Sequence, residues 1–184
     1  MEDRRGEVWV GTGAGLNRIA QDATRVERVF LPGANAPGPR VRALAQDHEG
    51  FIWVGTDAGL MRLDPSDGTL VVHRHDPASA SSLPDDRVQT VYADSARRLW
   101  VGTMGGLALY DTESRTFSTM RHARADAWSL PDDFVTSIFE DRGGLIWIGT
   151  KSQGLAKWNP RTWSFGYHAP GVGEHLYGDR KSVV

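Results

Sequence analysis

The chain has 184 residues, the length of about one domain and enough to bury a substantial core. Its 21 basic and 23 acidic residues leave a net charge of −2, so we expect no nucleic-acid partner and no membrane contact by this segment. The lack of cysteine excludes disulfides, thiolate zinc sites and cysteine nucleophiles. The 21 glycines and 7 tryptophans exclude a disordered chain, and no apolar stretch has the length of a membrane span.

One short sequence, Trp-[Val/Ile]-Gly-Thr, occurs four times at intervals of 44, 47 and 47 residues. Its four tryptophans are Trp9, Trp53, Trp100 and Trp147. An aspartate stands six residues before each tryptophan, and a Gly-Leu pair follows each one. A further shared element, Val-x-x-[Leu/Val/Ile], begins at Val41, Val88 and Val135. Internal repeats of this length indicate one supersecondary unit per repeat.

Each unit predicts four short strands separated by turn residues. In the third unit we expect them at residues 88–93, 99–102, 107–110 and 116–120. The first strand is short, rich in β-branched residues and bounded by aspartates, which favours an innermost strand buried on both faces. We expect the aspartate to bind turn amides, the glycine of Gly-Thr to allow close backbone approach, and the tryptophan to pack one sheet on the next. The pattern predicts an all-β fold, the β-propeller.

The repeat divides the chain into blades at residues 1–36, 37–84, 85–131 and 132–170, with the start of a fifth blade at 171–178. The first unit begins at Met1, where the other units already have a strand, so we expect blade one to lack its inner strand. This division predicts about three and three-quarter four-stranded antiparallel blades of a larger propeller, in residues 1–178. Residues 179–184 match the translation of a sequencing adapter, and we interpret them as a non-native tail.

One sequence motif of the repeat resembles the two-component-regulator propeller repeat. The motif is Asp-x-x-Gly-x-[Ile/Leu]-Trp-[Ile/Val]-Gly-Thr, and it is complete at residues 141–150. The Ser-Leu-Pro-Asp-Asp loops at residues 82–86 and 129–133 also resemble a loop of that family. The family occurs in extracytoplasmic sensor regions of bacterial hybrid histidine kinases and some diguanylate cyclases. The resemblance implies a periplasmic, non-enzymatic sensor that binds a small molecule such as a saccharide or metabolite. It also implies further blades and a C-terminal signalling module as partners in the full-length protein.

Two motifs in the first half of the chain have a chemical as well as a structural interpretation. The glycines of residues 11–15 suggest a phosphate-binding loop, but no helix pattern follows them, so we favour a turn. Residues 64–68 have some features of a calcium loop. Because they lack the alternating carboxylates and the distal glutamate, we favour a tight hairpin.

Other polar clusters suggest a metal site or acid–base chemistry. His73 and His75 lie two residues apart beside Asp76 and could hold a metal, but we favour an outer edge strand with exposed polar side chains. The aspartate pairs at 85–86 and 132–133 could act as acid and base, but their recurrence at equivalent loop positions favours turn and capping roles. We therefore predict no catalytic residue, no metal and no cofactor.

Two other functional classes stay open. The repeated sequence motif also resembles that of streptogramin lyases, which makes a propeller enzyme the first alternative. A lyase would need a histidine and a carboxylate on one rim near the axis, whereas the repeat places most histidines on outer strands or long loops. The second alternative is a protein-interaction platform of the kind that Trp-Asp-repeat propellers provide.

A ligand surface is expected where the loops between second and third strands meet the loops that lead into each inner strand. Side chains at these positions differ between blades while the flanking Trp-[Val/Ile]-Gly-Thr does not. The candidates are Arg40, Asp57, Arg87, Met104, Phe134 and Lys151.

Overall fold

The computed structural model describes residues 1–22, 24–31, 38–126, 128–159 and 164–168. These residues form fifteen β-strands in four antiparallel sheets, which confirms the predicted all-β class and the blade architecture. In this part of the chain, no helix is long and apolar enough to cross a membrane. The blade boundaries stay a prediction, and the expected fifth blade at 171–178 and the tail at 179–184 lie outside the described residues.

The strands follow one another through the sheets in chain order. The first sheet contains β1 (Val8–Thr12), β2 (Gly15–Ile19) and β3 (Val26–Val29). The second contains β4 (Val41–Gln46), β5 (Ile52–Thr56), β6 (Gly59–Leu63) and β7 (Leu70–His73). The third contains β8 (Val88–Ala93), β9 (Leu99–Thr103), β10 (Gly106–Asp111) and β11 (Thr116–Met120). The fourth contains β12 (Val135–Glu140), β13 (Ile146–Thr150), β14 (Leu155–Asn159) and β15 (Ser164–His168).

The first strands of the second, third and fourth sheets lie side by side. Strand β8 contacts both β4 and β12, as expected for inner strands. The expected burial on both faces is wrong, because only Val88 and Val91 of β8 are buried in the core between the second and third sheets and its other four residues are half-buried. The first sheet has three strands among the described residues, and a single bridge between Glu2 and Val8 lies beside β1. Each inner strand carries a β-bulge at the same place, between Val41 and Ala43 in the second sheet. The bulges of the third and fourth sheets fall at 88–90 and 135–137.

Each repeat is held together by a hydrogen bond between its aspartate and its tryptophan. The indole N–H of Trp100 donates to Oδ2 of Asp94 at 2.8 Å, and both side chains are buried. The other oxygen of this carboxylate accepts the backbone N–H of Arg98, so one aspartate serves the turn and the tryptophan together. The same indole–carboxylate bond occurs in the other three repeats at 2.8, 2.6 and 2.8 Å. The expected turn role of the aspartate is confirmed. The spacing of six residues also brings each aspartate within hydrogen-bond distance of its tryptophan.

The tryptophans pack each sheet on the next one. Trp9, Trp53 and Trp100 are 2%, 1% and 0% exposed, as predicted for core residues, whereas Trp147 is half-buried. Trp53 meets the ring of Tyr110 edge-on at 4.9 Å, and Trp100 meets Trp158 at 4.8 Å. Edge-to-face aromatic pairs add to the stabilisation by burial. The core therefore consists of separate clusters between successive sheets.

In the first three Gly-Thr pairs, the glycine lies against the valine that begins the next inner strand. A Cβ atom on Gly102 would stand 2.5 Å from Cγ1 of Val135, and one on Gly55 would stand 2.7 Å from Cγ1 of Val88. Real Cβ atoms do not approach so closely, so any larger residue would push the sheets apart. The predicted close backbone approach is confirmed. It explains why the Gly-Thr pair and the valine of Val-x-x-[Leu/Val/Ile] recur together in the repeat.

Candidate functional site

The six predicted rim residues come together as three pairs, one in each of the second, third and fourth sheets. One member of each pair directly precedes the inner strand, and the other directly follows the second strand. In every pair the backbone N–H of the second member donates to the carbonyl of the first. The donors and acceptors are Asp57 to Arg40 at 3.3 Å, Met104 to Arg87 at 3.2 Å, and Lys151 to Phe134 at 2.9 Å. We call these six residues the rim.

The rim pair of the second sheet carries opposite charges on exposed side chains. Besides the backbone bond, the carboxylate of Asp57 accepts the backbone N–H of Arg40 at 3.2 Å. The Arg40 guanidinium forms no ion pair with a described carboxylate. The charge of this arginine is therefore available to a ligand.

In the third sheet, the arginine of the rim is held by a carboxylate. The Asp85 carboxylate accepts hydrogen bonds from Nε of Arg87 at 2.9 Å and from Nη2 at 2.7 Å. This bidentate pair fixes the plane of the guanidinium. These hydrogen bonds lower the pKa of Asp85 and raise the pKa of Arg87. Both groups are therefore charged at neutral pH. Met104, the other member of the pair, is half-buried beside them.

In the fourth sheet, the rim pair combines a cation with an aromatic ring. The Lys151 ammonium lies 4.8 Å from the centre of the Phe134 ring, within the range of a cation–π contact. Asp132 stands where Asp85 stands in the third sheet, but it accepts the hydroxyl and the backbone N–H of Ser152. Burial alone would raise the pKa of Asp132, but these bonds and the Phe134 amide hold it below its ordinary value. The fourth repeat has one residue more than the others between its tryptophan and its Gly-Leu pair, and this longer loop has a different anchor.

The structure adds three residues to the site that the sequence analysis did not select. Arg42, Gln89 and Thr136 occupy the bulge of each inner strand, two positions after a rim residue. Arg42 and Thr136 are exposed, and Gln89 is half-buried. Bulges redirect side chains and are common beside binding sites. The available signal was the change from arginine to glutamine to threonine immediately after a valine that is the same in all three repeats.

The threonine of Gly-Thr explains the glycine-rich stretch at 11–15. Oγ1 of Thr12 donates to the carbonyl of Gly15 at 3.0 Å and accepts the backbone N–H of Ala14 at 3.1 Å. Thr56 and Thr103 form the same two bonds in the next two sheets. The stretch is a turn between strands, as favoured, and the recurrence of threonine was an unused signal for this role.

The aspartate pairs and two of the histidines belong to a repeated loop. The Asp86 carboxylate accepts the backbone N–H of His75 at 2.7 Å, and Nδ1 of His75 lies 2.6 Å from the carbonyl of Leu83. The next loop repeats this arrangement with Asp133 and His122, at 2.6 and 2.8 Å. The predicted turn role of these aspartates is confirmed. The 64–68 motif is likewise a hairpin, because the carbonyl of Asp64 accepts the backbone N–H of Gly68.

The expectation for His73 is wrong. We expected an exposed polar side chain on an outer edge strand, but the ring stacks on Trp53 at 5.7 Å between the second and third sheets. The reason is register: His73 pairs with Leu60, so its side chain shares the face that packs on the third sheet. Among the described residues, no three potential metal-binding side chains lie together.

A separate groove of about 800 Å³ opens between the third and fourth sheets, away from the rim. Trp128 and Trp158 contribute to its walls, and two of its three arginines are already engaged. Arg98 pairs with Asp94 at 2.6 Å, and Arg121 donates to backbone carbonyls. Because these polar groups are satisfied internally, the rim is the better candidate for a ligand site.

Comparison with known proteins supports the repeat assignment. The two component regulator propeller family matches residues 35–58, 82–105 and 129–152. No curated protein matches the sequence. A similar solved structure is the extracellular domain of a protein described as a hybrid two-component system of B. thetaiotaomicron, with 25% identity and a TM-score of 0.65. That match covers 70% of this chain and 18% of the other.

Two further similar structures share the fold at low identity. A catalytically inactive histidine variant of virginiamycin B lyase from Staphylococcus aureus, with quinupristin, has 14% identity and a TM-score of 0.67, and the match covers 94% of this chain and 55% of that one. A component of the type-IX secretion system of Porphyromonas gingivalis has 20% identity and a TM-score of 0.61 over 84% and 24% of the two chains. The chain therefore spans less than two thirds of each of these proteins. Three of its four blades carry two-component-regulator propeller repeats.

Proposed function

We propose that this propeller is the extracytoplasmic, non-enzymatic sensor region of a bacterial signal-transduction receptor, and that its rim binds a small polar molecule. The observation that carries the proposal is the rim itself. Three equivalent backbone frames present different side chains: Arg40 with Asp57, Arg87 with Met104, and Phe134 with Lys151. The similarity to an extracellular domain of a hybrid two-component system supports the location and the signalling role.

The chemistry of the rim and its bulges suits a saccharide or a polar metabolite. Carboxylate, guanidinium and ammonium groups can bind hydroxyl or carboxyl groups, and the Gln89 amide adds a neutral donor and acceptor. The Thr136 hydroxyl donates to the carbonyl of Gly149, so it offers a ligand an acceptor. The Phe134 ring offers an apolar face for the carbon skeleton of such a ligand. Binding sites typically combine a few polar groups that fix orientation with apolar surface. In the full-length protein, further blades and a C-terminal signalling module would act as partners of this region.

The rim can be tested by a thermal-shift screen of mono- and oligosaccharides and of carboxylate metabolites, followed by calorimetry on any compound that raises the melting temperature. Lys151→Ala and Gln89→Ala should each weaken binding of that compound without lowering stability. Glu113→Ala is the matched control, because this exposed glutamate lies in the β10–β11 turn at the opposite end of the sheet. Binding that both rim variants leave unchanged would contradict the placement of the site.

A lyase activity is the alternative that the second structural similarity raises, and the positions of the histidines count against it. Nε2 of His48 contacts the carbonyl of Asp94 at the end opposite the rim, and His73 lies between two sheets. His75 and His122 are bound inside their own loops. In the part of the chain that the structure describes, no histidine joins a rim carboxylate. We expect quinupristin to stay unchanged by mass spectrometry after incubation with this protein.

A further inference from the structure

A histidine lies inside an aromatic cage between the second and third sheets. The imidazole of His73 stacks on Trp53 with ring centres 5.7 Å apart and planes 24° apart. The edges of Tyr110 and Phe117 complete the cage, with centres at 5.5 and 5.4 Å from the imidazole. Trp53 belongs to the second sheet, whereas Tyr110 and Phe117 belong to the third. The imidazole is therefore part of the contact that joins the two sheets.

One nitrogen of this ring makes no hydrogen bond in the part of the chain that is described. Nε2 of His73 is buried and has no hydrogen-bond partner. A neutral imidazole can leave one nitrogen bare at moderate cost, but an imidazolium carries an N–H on both nitrogens. A buried charged donor without a partner is far more costly than a neutral one. Protonation thus acts directly on the contact between the sheets.

The charged and titratable groups around the cage do not offset this cost. They are Arg62 on β6, Asp47 and Glu49 in the β4–β5 turn, Tyr110 on β10, and Arg115 before β11. The Asp47 carboxylate is engaged by the indole N–H of Trp53 at 2.6 Å. Burial lowers the pKa of His73 below its ordinary value of 6.5, and the positive charge of Arg62 lowers it further.

We propose that His73 makes the contact between the second and third sheets responsive to pH: the neutral ring packs in the cage, and the protonated ring loosens it. The third sheet shows the contrast, because the equivalent position there, opposite Leu107, is Met120. The contact between the third and fourth sheets has no titratable side chain at this position. The response needs no ligand at the rim, so it is independent of the proposed sensor function.

The sign follows from proton linkage. Because the pKa in the folded state lies below that of the unfolded state, the unfolded chain binds the additional proton in the interval between them. The contribution of neutral His73 to the free energy of unfolding is fully present above pH 6.5, and it is lost as the pH falls towards the folded-state pKa. Within that interval the equilibrium constant for unfolding rises by up to about tenfold per pH unit from this one group.

The test compares urea unfolding of the whole chain between pH 8 and about pH 5 with that of His73→Met, which copies the residue the third sheet uses. The variant should lack the steep part of the pH dependence, whereas His122→Gln, which removes a histidine outside the cage, should keep it. ¹³C-labelled histidine in the wild-type protein gives a second measurement that needs no variant. The signal of His73 should titrate below the ordinary histidine pKa of 6.5.

Two results would overturn this assignment. One is an equal dependence of unfolding on pH in the wild-type protein and in His73→Met. The other is a His73 resonance that titrates at or above the ordinary histidine value, which would show that the cage tolerates the charged ring.

Discussion

Replacing Trp100 by alanine tests the central claim that the repeated tryptophans join the sheets. The side chain is 0% exposed, donates to Asp94 at 2.8 Å and meets Trp158 edge-on at 4.8 Å. Truncation of a buried tryptophan to alanine costs about 3 to 5 kcal/mol through lost burial and the cavity left behind. The Asp94 carboxylate keeps its bond to Arg98, so the lost indole bond adds only about 1 kcal/mol.

This loss is large compared with the roughly 5 to 15 kcal/mol that stabilises a whole domain. We therefore expect Trp100→Ala to unfold at much lower urea concentration than the wild-type protein or to fail to fold. Trp100→Phe keeps most of the ring and removes the N–H, so its loss should be intermediate. Circular dichroism during urea unfolding measures both changes.

Trp128→Ala is the matched control for the same measurement. Trp128 is half-buried in a loop, and its backbone N–H bond to the Asp126 carboxylate survives the substitution. We expect its unfolding midpoint to stay near that of the wild-type protein. Nearly equal midpoints for Trp100→Ala and Trp128→Ala would refute the view that the repeated indole holds two sheets together.

Three other substitutions probe the packing, the loops and the rim. Gly102→Ala should cost about 1 to 3 kcal/mol by urea unfolding because the new methyl group meets Val135, and Val135→Ala should restore part of the loss, so purely additive effects would contradict this contact. Asp132→Asn should destabilise the protein at neutral pH and flatten the acid limb of its stability profile. The sign follows because a carboxylate with a lowered pKa stabilises the fold above the unfolded-state pKa and loses this effect as pH falls; an unchanged acid limb would argue against it. Lys151→Met should change the unfolding free energy by less than about 1 kcal/mol, since the contact with Phe134 is exposed, and a larger change would indicate a structural role.

The strands and their order could be predicted from the sequence because the repeat shows the same pattern several times. The four strands expected in the third unit differ from the observed ones by one residue at three ends. The hydrogen bond between Asp94 and Trp100 could not be derived, since a spacing of six does not show that two side chains turn towards each other across a hairpin. Contacts of this kind depend on register, which the turn geometry sets.

The site was only partly predictable, for the same reason. Comparison of repeats located the rim, because its side chains vary within a constant frame. The bulge residue Gln89 was missed, because its variation between repeats marks a variable position but does not show that the strand bulges there and redirects the side chain. His73 was assigned to the surface because the strand was placed correctly but the face of the strand was not. A shift of one residue in register exchanges the two faces of a strand.

The backbone of the rim is held largely independently of the rim side chains. In each pair the bond that fixes the geometry runs between backbone atoms, as from the N–H of Lys151 to the carbonyl of Phe134. The nearby aspartates bind mainly backbone amides, as Asp86 binds the amide of His75. Substitution of a rim side chain therefore leaves the backbone–backbone bond of each pair in place. Asp57 is the exception among the rim side chains in also binding a backbone amide, that of Arg40. Stability resides in the repeated aspartate, tryptophan and glycine, so most rim side chains can change without loss of the fold.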